Sequence, residues 1–294
     1  MWRSSCKFLH NYQQETIMET LIDLEQDVIR TISPNEGMNR DDRSFPEQYW
    51  IAGRSALAAI RAGLDSAQKL TSEISRVLDL PCGHGRVLRY LHAAFPDAKL
   101  TACDLLSDGV EFCSKVFGAT PVYSHEDLSK IPLEESGYDL IWVGSLFTHL
   151  DSARWTSLLA KLTSALSDGG LLVFTTHGRY VYRQLSGLED ASDYGLPYYR
   201  ITKMLYGYEH SGFGYGDYPE SDGYGVSLSD PHWVIPTLAA QKELQCVHFS
   251  ERAWHNVQDV YACLKSQHPS VKESATPLRQ YVKHVVREVL EATR

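Results

Sequence analysis

The sequence is poor in the features that mark many specialised proteins. No stretch of its 294 residues approaches the roughly 20 consecutive apolar positions that a membrane-crossing helix needs. Positive charge is scarce: 28 Lys and Arg face 37 Asp and Glu, a formal charge of −9 that excludes a broad basic face for nucleic acid or anionic lipid. The six cysteines form no Cys-x-x-Cys pair and no zinc-like cluster with histidine, so neither a disulfide framework nor a metal is expected. The opening Met1-Trp2-Arg3-Ser4-Ser5-Cys6-Lys7 runs into only Phe8-Leu9 before His10, too short for a signal-peptide core. A Gly-Lys-Ser/Thr phosphate loop and a Gly-x-Ser-x-Gly elbow are both missing, which removes the nucleotide-triphosphatase and common hydrolase readings. With 43% hydrophobic and 22% charged residues, what remains is an ordinary globular chain, expected in the cytoplasm with no membrane or nucleic-acid partner.

The first 73 residues read as a helical extension. Apolar positions from 17 to 32 follow a helical stripe, Ser33-Pro34-Asn35-Glu36-Gly37 breaks it, and a second helix is expected from about Pro46 to Leu70. Short apolar runs then alternate with helical stretches. Strands are expected at 76–80, 99–103, 120–123, 138–143 and 170–176, with helices near 86–95, 107–117, 126–130 and 152–167. Runs apolar on both faces and separated by helices require a doubly wound α/β sheet over residues 74–265. Between 178 and 225 this rhythm fails. Ten of the seventeen tyrosines gather there among many glycines, a long loop expected to be a lid, a binding insertion or a small subdomain that holds the acceptor and can close over it. A helix at 230–242, closing strands at 245–249 and 259–264, and an amphipathic C-terminal helix within 266–294 complete the pattern, the last suited to docking on the core or on a second copy as a homodimer.

The chemistry concentrates in Val77-Leu-Asp-Leu-Pro-Cys-Gly-His-Gly-Arg-Val87. A strand ends in Asp79, turns through Gly83 and Gly85 and opens a helix, where backbone N–H groups and a close approach suit a ligand. Asp104 ends the next strand, placed for two ribose hydroxyls, and Asp127-Leu128 follows the third, placed for an adenine edge and face. A nicotinamide dinucleotide would need a third glycine, but position 88 is Leu, and it has no use for Asp79.

At these residues the chain resembles the class I S-adenosylmethionine-dependent methyltransferases, whose sheet is Rossmann-like. The resemblance implies S-adenosyl-L-methionine as cofactor. Its methionine end would lie on the Asp79–Gly85 turn with Pro81 and Cys82, its ribose on Asp104 beside Leu105, and its adenine on Asp127 and Leu128. Pro81 departs from the family, standing where the first glycine usually sits without an N–H to donate. Gly144-Ser-Leu-Phe-Thr-His-Leu150 and Phe174-Thr-Thr-His-Gly178 resemble a bacterial branch, adding Gly144 and Ser145 to the cofactor side. Tyr49-Trp-Ile-Ala-Gly-Arg54 resembles the family's N-terminal helix, which can fold over the cofactor and would aim Arg54 at its carboxylate. Gln258-Asp259-Val260 resembles the last strand, where a polar pair can face the pocket.

Methyl transfer to a hydroxyl needs a proton acceptor near the tips of strands four and five. His149 and His177 are the candidates, with His232 and His255 less well placed. The expected reaction is O-methylation of a small-molecule or saccharide acceptor. Two alternatives stay open: a catalytically silent methyltransferase-like subunit, and an oxidoreductase of the same fold.

Overall fold

In the computed structural model the described residues are 24–38, 46–187, 195–219, 221 and 223–266. The C-terminal helix expected within 266–294, the start of the first expected helix and Tyr194 lie outside them. Nine strands run in chain order: β1 (Arg76–Asp79), β2 (Lys99–Asp104), β3 (Thr120–Tyr123), β4 (Tyr138–Val143), β5 (Leu166–Thr176), β6 (Phe213–Asp217), β7 (Gly225–Ser229), β8 (Leu244–Trp254) and β9 (Gln258–Lys265). Seven form one sheet in the order β3-β2-β1-β4-β5-β9-β8, while β6 and β7 pair separately. Strands β1 to β5 are mutually parallel; β9 runs against β5, and β8 against β9.

The helices are α1 (Pro46–Ser66), α2 (Leu88–Ala94), α3 (Ser107–Phe117), α4 (Ser152–Ala165), α5 (Arg179–Ser186), α6 (Tyr198–Ser211) and α7 (Pro231–Ala240). One layer of core lies under α1, α2 and α3, built around Val77, Leu88, Leu91, Trp142 and Val173. The other lies under α4 and α7, where Trp155 meets Phe174 and Trp233 edge to face and Phe147 at a tilt. Burial on both faces explains why the central strands read as unbroken apolar runs. β3, at the sheet edge, alternates instead. The stretch expected to be helical at 126–130 is a single 3-10 turn, Leu128–Lys130.

Two segments differ from the sequence expectation. Residues 24–27 are helical, but the chain then leaves the helix and runs irregularly through 28–36, although its apolar stripe continues. The carbonyls of Ile29 and Thr31 are taken by the guanidinium of Arg89 instead of helical N–H groups. The insertion is a folded subdomain, not a long loop: α5 and α6 pack with the β6–β7 hairpin around Val181, Leu185, Ile201, Met204, Tyr208 and Leu228. Its glycines serve close packing as well as turning. A side chain at Gly214 would collide with the Met204 carbonyl, and one at Gly225 with the Gly216 carbonyl. No helix among the described residues is long and apolar enough to cross a membrane.

Candidate active site

The tips of β1, β2, β4 and β5 bring most of the expected residues to one end of the sheet. After Asp79 the chain folds into a tight turn in which the Cys82 N–H donates to the Cys103 carbonyl and the Gly85 N–H to the Cys82 carbonyl. Gly85 adopts φ +79°, and a Cβ there would strike Phe117, so only glycine closes the turn against α3. The Gly83 N–H donates to Asp104 Oδ2 at 2.7 Å, and the Leu106 N–H to Asp104 Oδ1 at 2.9 Å. Each Asp104 oxygen thus keeps lone-pair capacity for a further donor. Most N–H groups of the turn are engaged within the protein, so the site meets a ligand mainly with carboxylates. Cys82 turns its buried thiol toward the Gly83 carbonyl, leaving only its backbone in the turn.

Asp79 is the outstanding group. It is 1% exposed, and neither carboxylate oxygen has a hydrogen-bond partner. Burial, then the neighbouring Asp104, hold its carboxyl well above the usual carboxylate range, against the opposing fields of Arg86 and the Leu88 amide. An unpaired buried acid is costly in the free protein, and a cationic ligand group is the partner that relieves it. The turn therefore fits a cofactor bearing an ammonium group.

Other expected residues are used differently. The Arg54 guanidinium donates to Glu25 at 2.6 Å and lies 3.7 Å from Glu47, so within the chain it already has two carboxylate neighbours. Asp127 caps the 3-10 turn, accepting from the Ser129 N–H and hydroxyl, with Lys130 at 3.2 Å. These partners hold it down to about 2 in pKa. Leu128 is packed into the core beside Ile131 and Leu133, while Leu105 stands exposed beyond Asp104.

Past β4, Ser145 adopts φ +62°, donates its N–H to Thr175 Oγ1 and accepts from Gln258 Nε2 at 3.0 Å. Thr175 donates in turn to Gln258 Oε1 at 2.6 Å. This closed ring of polar groups joins the tips of β4, β5 and β9. Of the expected pair on β9, Gln258 reaches it, whereas Asp259 accepts from the Arg252 N–H and is pushed by burial up to about 6.

His149 lies next along the chain. A carbonyl can only accept, so its Nδ1–H donates to the Gly225 carbonyl at 2.7 Å, leaving the Nε2 lone pair as the free base. Burial lowers its pKa, so the ring is neutral at physiological pH. The Tyr224 ring stacks on it at 4.8 Å, and the Tyr218 hydroxyl oxygen lies 3.5 Å from Nδ1. Burial, then Tyr218 and Asp104, push the Tyr224 phenol up to about 12. His177 is a poorer base: burial, reinforced by His149, drives it down to about 3, and its Nδ1 has no partner. His232 is hydrogen-bonded to Asp230, and His255 faces the Gln48 carbonyl on α1.

Sequence reasoning missed Arg89, Thr175 and the pairing of Tyr218 and Tyr224 with His149. For Arg89 a signal existed: a charged residue between Leu88 and Leu91 in a short apolar helix, four residues after the helix-opening glycine.

Residues 77–170, less than half of the chain, match the family model described as a methyltransferase domain. A malonyl-[acyl-carrier protein] O-methyltransferase of Anoxybacillus flavithermus is 32% identical over 110 residues, 37% of this chain and 41% of that protein. A fatty-acid O-methyltransferase of Mycolicibacterium smegmatis is 29% identical over 111 residues, 37% of this chain and 40% of that protein. The matched region thus spans well under half the length of either relative. Among solved structures, an S-adenosylmethionine-dependent methyltransferase of Clostridium acetobutylicum aligns with a TM-score of 0.50 at 14% identity, covering 78% of this chain and 96% of that one. The sheet order and this likeness agree on the Rossmann-like methyltransferase fold.

Proposed function

We propose that the protein transfers a methyl group from S-adenosylmethionine to an oxygen of a small-molecule acceptor. The observation that carries this reading is the unpaired, buried carboxyl of Asp79 beside Asp104 on a glycine turn, within a segment that matches the methyltransferase domain. When bound, the cofactor supplies an electrophilic sulfonium methyl. Asp79 would receive the cofactor's ammonium, and Asp104 would accept from ribose hydroxyls with its remaining lone pairs. Gly144 and Ser145 border that end from β4. His149 Nε2 accepts the proton of the acceptor hydroxyl, its tautomer set by the Gly225 carbonyl. Tyr218 and Tyr224 flank the base, which makes the 178–225 insertion the acceptor side of the site. The names of the curated relatives favour acyl compounds among the acceptors to be tried.

Incubation with methyl-labelled cofactor and a panel of hydroxy and carboxylic acids tests the reaction. Labelled ether or ester product is expected. Cofactor binding with no transfer to any acceptor would favour the silent subunit. Replacing Asp104 with Ala should weaken cofactor binding at least about tenfold, because it removes charged hydrogen bonds of roughly 1.5–3 kcal/mol and frees the Gly83 N–H. An unchanged dissociation constant would remove Asp104 from the site.

A further inference from the structure

Arg89 is fully buried, a rare position for a guanidinium. Its Nε donates to the Gly85 carbonyl at 3.0 Å, Nη1 to the carbonyls of Ile29 and Thr31 at 2.7 and 3.0 Å, and Nη2 to the Tyr49 hydroxyl at 3.0 Å. Tyr49 passes the contact on, donating to the buried Glu36 carboxylate at 3.3 Å. The rings of Tyr49, Trp50 and Phe117 enclose the cation at 5.3–5.4 Å. One side chain thereby holds three separate pieces of chain: the glycine turn, the segment 28–38 and helix α1.

A second clasp repeats the link. His84, inside the turn, donates Nε2–H to Asp108 Oδ2 at 3.1 Å, and Asn35 donates to the same oxygen at 3.4 Å. Segment 28–38 is therefore linked to the turn twice, through Arg89 and through the Asp108 carboxylate. We infer that Arg89 is a positioning residue that couples segment 28–38 to the glycine turn, so that holding the cofactor and ordering this strap are one equilibrium. The inference rests on the cofactor reading above. Its physical basis is that a buried guanidinium must keep its fork fully bonded. The Gly85 carbonyl cannot shift without loosening Ile29 and Thr31, and fixing the turn with a ligand fixes them too. Lysine would keep the charge but not reach all four acceptors.

Hydrogen exchange on the full chain, with and without S-adenosylhomocysteine, tests this. In the wild-type protein the ligand is expected to slow exchange in 28–38 by about tenfold or more, within the range of ordinary site-to-site coupling. Arg89→Lys should abolish that slowing and weaken S-adenosylhomocysteine binding by about 5- to 150-fold. Should Arg89→Lys fail to fold, Tyr49→Phe removes only one acceptor of the fork, and should reduce both effects in the same direction. Ligand binding with unchanged exchange in 28–38 of the wild type overturns the inference and leaves the cofactor reading standing. No ligand binding by the wild type overturns both. A merely structural role for Arg89 would lower the melting temperature of the variant without making the strap's protection depend on ligand in the wild type.

Discussion

Asp79→Asn should make the free protein more stable while making it a worse binder. The native carboxyl is buried, unpaired and raised in pKa relative to the unfolded chain. A carboxyl raised in this way adds no penalty below its unfolded value, where it is protonated in both states. Stability is then lost as pH rises through the folded value. At neutral pH the substitution removes that linkage cost, because Asn carries no ionisation to suppress, and thermal melting should show a gain in stability. Near pH 4 the gain should shrink. Binding should move the other way: losing a charge-assisted contact to the ammonium weakens S-adenosylhomocysteine by about 10- to 100-fold. Wild-type affinity should also climb with pH as Asp79 ionises, a dependence absent from the variant. A variant that is destabilised and binds normally would mean that Asp79 serves the fold alone.

The second large effect concerns His149. Its replacement by Ala should lower kcat by about 10²- to 10⁴-fold, the usual contribution of a positioned base, with cofactor affinity little changed. The pH profile separates a base from a packing residue. Because burial lowers the imidazole pKa from 6.5, the acidic limb of the wild-type kcat profile should lie below pH 6.5, with a plateau through neutrality. That limb should vanish in His149→Ala. Equal loss of rate and of cofactor affinity would instead mark the residue as a prop for the Tyr218–Tyr224 loop. His177→Ala should affect the rate less, since a ring held near pKa 3 is a feeble proton acceptor at neutral pH.

The nucleotide half of the molecule was legible because each of its features is local in sequence. Strands buried on both faces read as apolar runs, and Asp79, Gly83 and Gly85 lie within seven residues of one another. What escaped was long-range. Arg54 finds its carboxylate in Glu25, 29 positions upstream, a pairing that no spacing rule announces. Arg89 looks like a solvent-facing charge until residues 28–31 fold back over it. The insertion hid for another reason. Ile201, Met204, Leu205 and Tyr208 do follow the helical i, i+3, i+4, i+7 pattern, but Tyr and Gly flank them so densely that composition suggested a loop. Asp127 shows a role that the sequence reading did not include, a local cap on the 3-10 turn.

Calorimetric titration of the full chain with S-adenosylhomocysteine, alongside NAD, tests the central claim most directly. Saturable one-to-one heat with S-adenosylhomocysteine, and none with NAD, is the predicted result. Heat with NAD alone, or none with either ligand, would contradict it.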